Sequence, residues 1–298
     1  MFYSPLRYPG GKNKLSSFIA KICIDNNIHS HYVEPYAGGA SVAMFLLIEG
    51  FVKEITINDK DRSLFAFWHS VLNETERLCE MILKSEMSIA NWDLQKAIQK
   101  DKENIDLLSL GFSTLFLNRT NRSGILKAGV IGGKNQDGNY KMDCRFNKDE
   151  IINRIRLISS FSKNITLYNL DAIDLVDQIE FSCKLNTIFY FDPPYYLKAD
   201  SLYMNHYNDL NHISVSDRIL KIKDSKWIVS YDEHEFIENL YVNKTKKKYS
   251  FNHSAFESRE GKELLFFSDN LVLPDVNDFI PTRFSLKKSK GKKEIIYK

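Results

Sequence analysis

Short apolar runs recur along the chain, and each is stopped by glycine, proline or an acid. Tyr32-Val33-Glu34-Pro35, Glu54-Ile55-Thr56-Ile57-Asn58-Asp59, residues 165–169, Thr187-Ile188-Phe189-Tyr190-Phe191 and Trp227-Ile228-Val229-Ser230-Tyr231 have the β-branched and aromatic content of buried strands. Between them lie stretches with apolar residues at helical spacing. Residues 13–27 place Leu15, Phe18, Ile19, Ile22 and Cys23 on one face, and 41–49 end at Gly50. Residues 62–72 and 172–179 follow the same rule. Alternation of this kind predicts an α/β fold with a mostly parallel sheet and helices on both faces. Residues 246–251 and 263–267 predict a closing pair of strands, and Ser214 to Asp217 predict the cap of a helix to residue 223.

Residues 73–161 break the alternation. Stretches 75–84, 88–100 and 104–117 predict helices with short links, and 147–150 a capping box before a helix to 159. An irregular segment from Asn118 to Phe146 lies among them, with Arg119, Arg122, Lys127, Lys134, Lys141, Arg145 and Lys148 against only Asp137 and Asp143. A loop of that length is functional or solvated. The expected organisation is therefore a sheet domain from 1–72 and 162–281, an inserted helical and loop domain from 73–161, and a basic tail from 282–298.

Composition narrows the function. An apolar share of 43% supports a core, and a net charge of +3 rules out a uniformly basic protein. Charge is local: from Thr282 onward seven basic residues face the single Glu294, which predicts a flexible basic extension. Cys23, Cys79, Cys144 and Cys183 form no Cys-x-x-Cys pair, so no zinc site is expected. With no secretory pattern and no long apolar span, a reduced, cytoplasmic protein without membrane contact is expected.

The chemistry concentrates at Asp192-Pro193-Pro194-Tyr195. Two prolines stop the strand before them, which puts an acid, a rigid turn and an aromatic ring at the carboxyl edge of a sheet. The set suits methylation of an exocyclic amino group. A carboxylate and a proline carbonyl accept the two N–H hydrogens of a poor nucleophile, and the ring stacks on the base. The competing reading of an isolated tetrad of this kind is a capped strand end. Asp59 lies at the tip of the second strand, about twenty residues after the glycines at 38–39, and can accept both ribose hydroxyls of a nucleoside. It could instead cap the following helix, a role for which Asp61 competes. Asp171 could meet an adenine amino group or cap a helix.

Tyr8-Pro9-Gly10-Gly11-Lys12, then Val33-Glu34-Pro35-Tyr36-Ala37-Gly38-Gly39-Ala40-Ser41, then the Asp192 tetrad resemble, in this order, the Dam-type, D12-class DNA adenine-N6 methyltransferases of the alpha arrangement. The resemblance spans about Ser4 to Ser268. It implies a Rossmann-like, S-adenosyl-L-methionine (AdoMet)-dependent methyltransferase sheet with an inserted target-recognition domain. It implies AdoMet contacts at Tyr8, Gly11, Lys12, Glu34, Tyr36, Gly38, Asp59, Asp171 and Asp192, catalysis by Asp192, Pro193, Pro194 and Tyr195, and no metal. Arg119, Asn121, Arg122 and Lys127 fall in the implied DNA-recognition region. The family places a second glycine where this chain has Ala40. The implied activity is site-specific adenine-N6 methylation of double-stranded DNA by a monomer, with a restriction or defence partner possible. An RNA methyltransferase and a catalytically silent DNA-binding relative are the competing readings. Asp192, rather than Ser, favours adenine over cytosine.

Overall fold

The five apolar runs fold as five parallel strands. A computed structural model describes residues 2–7, 11–182, 186–197, 207–252, 260–276, 279–289 and 292–297. In it the strands are β1 (His31–Glu34), β2 (Glu54–Asn58), β3 (Ile165–Tyr168), β4 (Thr187–Phe191) and β5 (Lys226–Asp232). Two antiparallel strands, β6 (Lys246–Asn252) and β7 (Glu260–Phe267), extend the same sheet. The order is β3-β2-β1-β4-β5-β7-β6. The chain thus moves outward from β1 to β3 on one side and from β4 to β5 on the other. The crevice where the direction reverses opens between the carboxyl ends of β1 and β4, the place where open sheets bind ligands.

Every residue of β1 and β4 is buried. Alternate side chains go to opposite faces: Ile188 and Tyr190 join one apolar cluster, Phe189 and Phe191 the other. Helices α1 (Ser16–Asp25), α2 (Ser41–Ile48) and α3 (Arg62–Asn73) cover the first face, while α8 (Ala172–Phe181), α9 (Asp209–Leu220) and α10 (Glu235–Leu240) cover the second. Helix α2 is apolar all round because it is buried on all sides.

The helical region comprises α4 (Thr75–Lys84), α5 (Ile89–Lys100), α6 (Leu107–Thr120) and α7 (Lys148–Ser159). It is built onto α3. A Cβ at Gly111 would sit 2.6 Å from the carbonyl oxygen of Ala66, so only glycine lets α6 approach α3 this closely. Phe112, Leu115 and Phe116 of α6 share one apolar cluster with Phe67 and Trp68 of α3, so packing is continuous across Asn73.

Two expectations are corrected. Helix α9 starts at Asp209, not near Ser214, because Asn208 and Asn211 exchange side-chain and backbone hydrogen bonds of 3.0 Å in a capping box. The basic tail is not a flexible extension: it folds as a hairpin, β8 (Phe284–Ser289) and β9 (Lys292–Tyr297). Phe284, Leu286 and Ile295 share one face and join the core beside α1, where Phe284 lies 5.2 Å from Phe18 and 5.8 Å from Phe279 between ring centres. Lys288 and Lys293 on that face reach the buried carboxylate of Glu49 at 2.7 and 3.8 Å. A buried acid therefore anchors lysines that composition alone assigns to solvent. Phe284→Ala should cost about 3 kcal/mol, read as a lower urea midpoint, whereas Lys287→Ala, an exposed position, should change it by less than about 0.5 kcal/mol. Equal midpoints for both variants would contradict a packed hairpin.

Candidate active site

Beyond β4 the chain leaves regular structure at Asp192, and the sheet itself fixes the carboxylate. Ser230 of neighbouring β5 donates to Asp192 Oδ1 at 2.7 Å and accepts from the Tyr190 hydroxyl at 2.9 Å. Lys12 Nζ lies 3.2 Å from the same oxygen. With Oδ1 held twice, Oδ2 is the oxygen without a hydrogen-bond donor among the described residues, and Asp192 lines a cavity at the β1–β4 crevice. Burial raises the pKa of Asp192, Lys12 pulls it down and Glu263 pushes it up, with a net rise. Asp232, at the end of β5, accepts the backbone N–H groups of Tyr196 and Leu197 at 3.0 and 2.8 Å, so it sets the path of the chain after the tetrad.

Lys12 is itself buried. Besides Asp192 it meets Glu263 Oε2 of β7 at 3.3 Å, donates to the Tyr195 hydroxyl and lies 4.7 Å from the centre of that ring. Tyr195 is only 3% exposed. The expected ring stacked on a base is not what this arrangement offers, because Tyr195 is buried and its hydroxyl accepts from a buried ammonium. Pro194, Tyr36 and Tyr207 line the cavity instead, and the two tyrosine hydroxyls lie 3.0 Å apart. Pro193 is buried.

The floor of the cavity is the β1–α2 turn. Gly38 and Ala40 have φ of 47° and 45°, in the left-handed region. Ala40 stands at the position where the second glycine was expected and keeps the glycine conformation, at a cost of about 1 kcal/mol. The turn is tied by Ala40 N–H to the Ala37 carbonyl at 2.6 Å and by the Trp68 indole N–H to the Gly38 carbonyl at 3.0 Å.

Asp61, not Asp59, caps α3, through Ser63 N–H at 3.0 Å. Asp59 is thereby left to the cavity, where Oδ2 accepts Gly38 N–H at 3.0 Å and Oδ1 accepts Asp61 N–H at 2.9 Å. Burial, then the nearby Asp61, push its pKa up to about 7. Glu34 accepts from the Tyr32 hydroxyl at 2.9 Å and Ala43 N–H at 3.1 Å, and burial pushes it up to about 8. Neither has an ion-pair partner among the described residues. A buried and a half-buried carboxylate without ion-pair partners, beside a glycine turn and apolar Leu64 and Ile125, suit a nucleoside that brings hydroxyl donors and positive charge. Gly11 and Lys12 line the same cavity. Tyr8 lies outside the described residues. Asp171 caps α8 through Ile173 N–H at 3.0 Å and pairs with Lys60 at 2.9 Å; Ala172 beside it lines the cavity.

The far wall is the segment after α6, residues 124–127. It divides the four implied DNA contacts. Arg119 is 8% exposed; its Nε donates to the Pro5 carbonyl at 2.7 Å, and burial, then Arg154 and Arg7, push its pKa down to about 10. Asn121 is fully buried. It accepts from the Trp92 indole at 2.7 Å and donates to the carbonyls of Ile125 and Leu126 at 3.0 Å. These two residues brace the wall and do not present themselves to a partner. Arg122 and Lys127 are exposed, and Lys127 stands at the cavity. Asn118 clamps the N-terminal segment, bonding both Arg7 N–H at 2.7 Å and the Arg7 carbonyl at 2.9 Å.

Ser230, Glu263 and Trp92 belong to the site but carry no sequence signal of the usual kind. The one available cue is that Glu263 is a lone acid opening an apolar run.

Residues 8–255 match the model of the D12 class N6 adenine-specific DNA methyltransferases. The chain belongs to this family. It is an adenine-specific DNA methyltransferase, and the family implies AdoMet as methyl donor. A similar curated protein is the Type II methyltransferase M.MjaIII of Methanocaldococcus jannaschii, 27% identical over 205 residues that make up 64% of this chain and 68% of that one. Two structures of the rRNA methyltransferase aviRa from Streptomyces viridochromogenes overlay on 87% and 84% of this methyltransferase, covering 85% and 82% of their own chains. Their identities are 8% and 7% and their TM-scores 0.37 and 0.33, too low to carry an argument. Among the described residues of the methyltransferase no helix is long and apolar enough to cross a membrane, and no group of three or more His, Cys, Asp or Glu is placed to hold a metal ion.

AdoMet affinity should depend on pH through Asp59. An ionised carboxylate is the stronger acceptor for ribose hydroxyls, so binding should strengthen as pH rises through about 7 and weaken as pH falls through it. Asp59→Asn should remove the dependence and weaken binding at pH 8 by about 1.5–3 kcal/mol. Calorimetric titration checks both; a wild-type affinity that is flat from pH 6 to pH 8 would exclude Asp59 as the ribose acceptor.

Proposed function

We propose that this methyltransferase methylates N6 of an adenine flipped out of a DNA duplex at a specific sequence. The observation that carries the reading is the placement of Asp192, held on one oxygen by Ser230 and Lys12 and lining the cavity at the crevice.

AdoMet, when bound, supplies a methyl group activated by its sulfonium. The chain supplies placement. Asp59 would accept the ribose hydroxyls, and Glu34, lining the same cavity, would ionise in answer to a cationic cofactor. Asp192 and the Pro193 carbonyl accept the hydrogens of the adenine amino group, which drives its lone pair out of conjugation and toward the methyl. Preorganised acceptors of this kind act without reorganisation at the moment of reaction. Tyr36, Pro194 and Tyr207 form the wall against which the base lies. A stacked adenine cannot enter this crevice, so the base leaves the helix first. Lys127, exposed at the cavity, and the exposed Arg122 hold the flanking duplex, while Arg119 and Asn121 keep the wall in shape.

The name of M.MjaIII as a Type II methyltransferase supports a restriction partner for this chain; we take the methyltransferase to act as a monomer. Incubation of the purified protein and AdoMet with unmethylated plasmid DNA or total RNA, followed by nucleoside mass spectrometry, tests the reading. N6-methyldeoxyadenosine should appear in the DNA and no N6-methyladenosine in the RNA. Methylation confined to RNA would overturn it.

A further inference from the structure

We infer that Glu263 is a positioning residue of the methyl-transfer reaction, dividing the charge of Lys12 so that Asp192 remains a strong acceptor for the adenine amino group. The inference rests on the proposed role of Asp192. Glu263 lies beyond the residues that match the family model, 8–255. Strand order brings it to the site, because β7 pairs with β5 and places Glu263 opposite Asp232 and, on its other side, Tyr249.

Three observations converge. Glu263 is 4% exposed, far below what an acid accepts without a reason. Its Oε2 lies 3.3 Å from Lys12 Nζ, which is itself 3.2 Å from Asp192 Oδ1, so one buried ammonium bridges the buried Glu263 and the half-buried Asp192. The Tyr249 hydroxyl donates to the same Oε2 and fixes the carboxylate. Among the described residues, acidic groups that face Lys12 are Asp192 just after β4 and Glu263 from β7, with the Tyr195 hydroxyl on Lys12 and the Tyr249 hydroxyl on Glu263.

The consequence is electrostatic. An ammonium paired with Asp192 alone would bind its lone pairs tightly and make it a weak acceptor. A second carboxylate on the same ammonium weakens that hold and leaves the triad one negative charge in excess. When the N–CH3 bond forms and the C–S electron pair leaves with sulfur, the amino nitrogen becomes positive and sheds one proton. Asp192 is the nearest base, and excess negative charge favours its taking that proton. The burial of Asp192, and the upward push of Glu263 on its pKa, agree with this division.

The test is the pH profile of the single-turnover methylation rate, measured with radiolabelled AdoMet and unmethylated plasmid DNA, both saturating. Glu263→Gln keeps the shape and the hydrogen bond from Tyr249 but removes the charge. The rate should fall about tenfold, AdoMet and DNA affinities should stay within about twofold, and the acid limb should move to lower pH by about one unit, because loss of a neighbouring negative charge eases ionisation of Asp192. Glu263→Asp withdraws the charge by one methylene, so both effects should be smaller and in the same direction; this variant decides the matter should the Gln protein not fold. A merely structural role would lower stability or affinity and leave the limb in place. An unshifted acid limb in the folded variants, or a wild-type rate in both, would overturn the inference. Wild-type protein that methylates no adenine would instead overturn the reading on which it rests.

Discussion

Asp192→Ala should lower the single-turnover methylation rate by about 10³-fold while the protein stays folded. The carboxylate contacts the amino group most strongly when that nitrogen is pyramidal and becoming positive, so its loss falls on the transition state rather than on binding. Duplex affinity should therefore be unchanged and AdoMet affinity weakened only slightly. Ser230→Ala removes one of the two donors that orient Asp192 and should cost less, about tenfold. A rate for Asp192→Ala within tenfold of wild type would remove Asp192 from the chemistry.

Lys12→Met should be the most destabilising single change at the site. It leaves the half-buried Asp192 and the buried Glu263 without the cation that lies between them. Breaking a buried pair from one side costs about 3–5 kcal/mol, equivalent to a fall in Tm of roughly 6–12 °C for a chain of this size. The pH dependence has a definite sign. Without the ammonium, the folded-state pKa of Asp192 rises further above its unfolded value. The folded state then binds protons more tightly than the unfolded one, so stability is kept at low pH and lost as pH rises. The Tm deficit of Lys12→Met should thus be larger at pH 8 than at pH 5.5. A deficit that is equal at both values, or larger at the acid end, would mean that Lys12 does not neutralise these acids.

The part of this site that was legible in the sequence lies at strand tips. Asp192 and Asp59 each end a short apolar run, and a run stopped by Pro193 and Pro194, or preceded by the Gly38 turn, places its acid at the sheet edge whatever else the fold does. What could not be read depends on strand neighbours. Ser230 and Glu263 reach Asp192 and Lys12 only because β5 and β7 follow β4 across the sheet, an order set by crossovers and not by distance along the chain. Arg119 and Asn121 mislead for a different reason. Helix α6 is buried along its last three turns, so polar residues there face inward with no periodic cue, and a basic, Asn-rich string looks like a nucleic-acid surface when half of it is internal bracing. The tail shows the same masking. Phe284, Leu286 and Ile295 alternate as a strand face should, but the lysines between them dominate composition and hide the pattern.

Single-molecule sequencing of DNA from cells that lack adenine methylation of their own, expressing either the wild-type chain or Asp192→Ala, tests the central claim most directly. The wild type should produce N6-methyladenine at one recurring sequence, and Asp192→Ala, folded and still binding AdoMet, should produce none. Modified cytosine in place of adenine, or the same adenine marks from both proteins, would contradict the account.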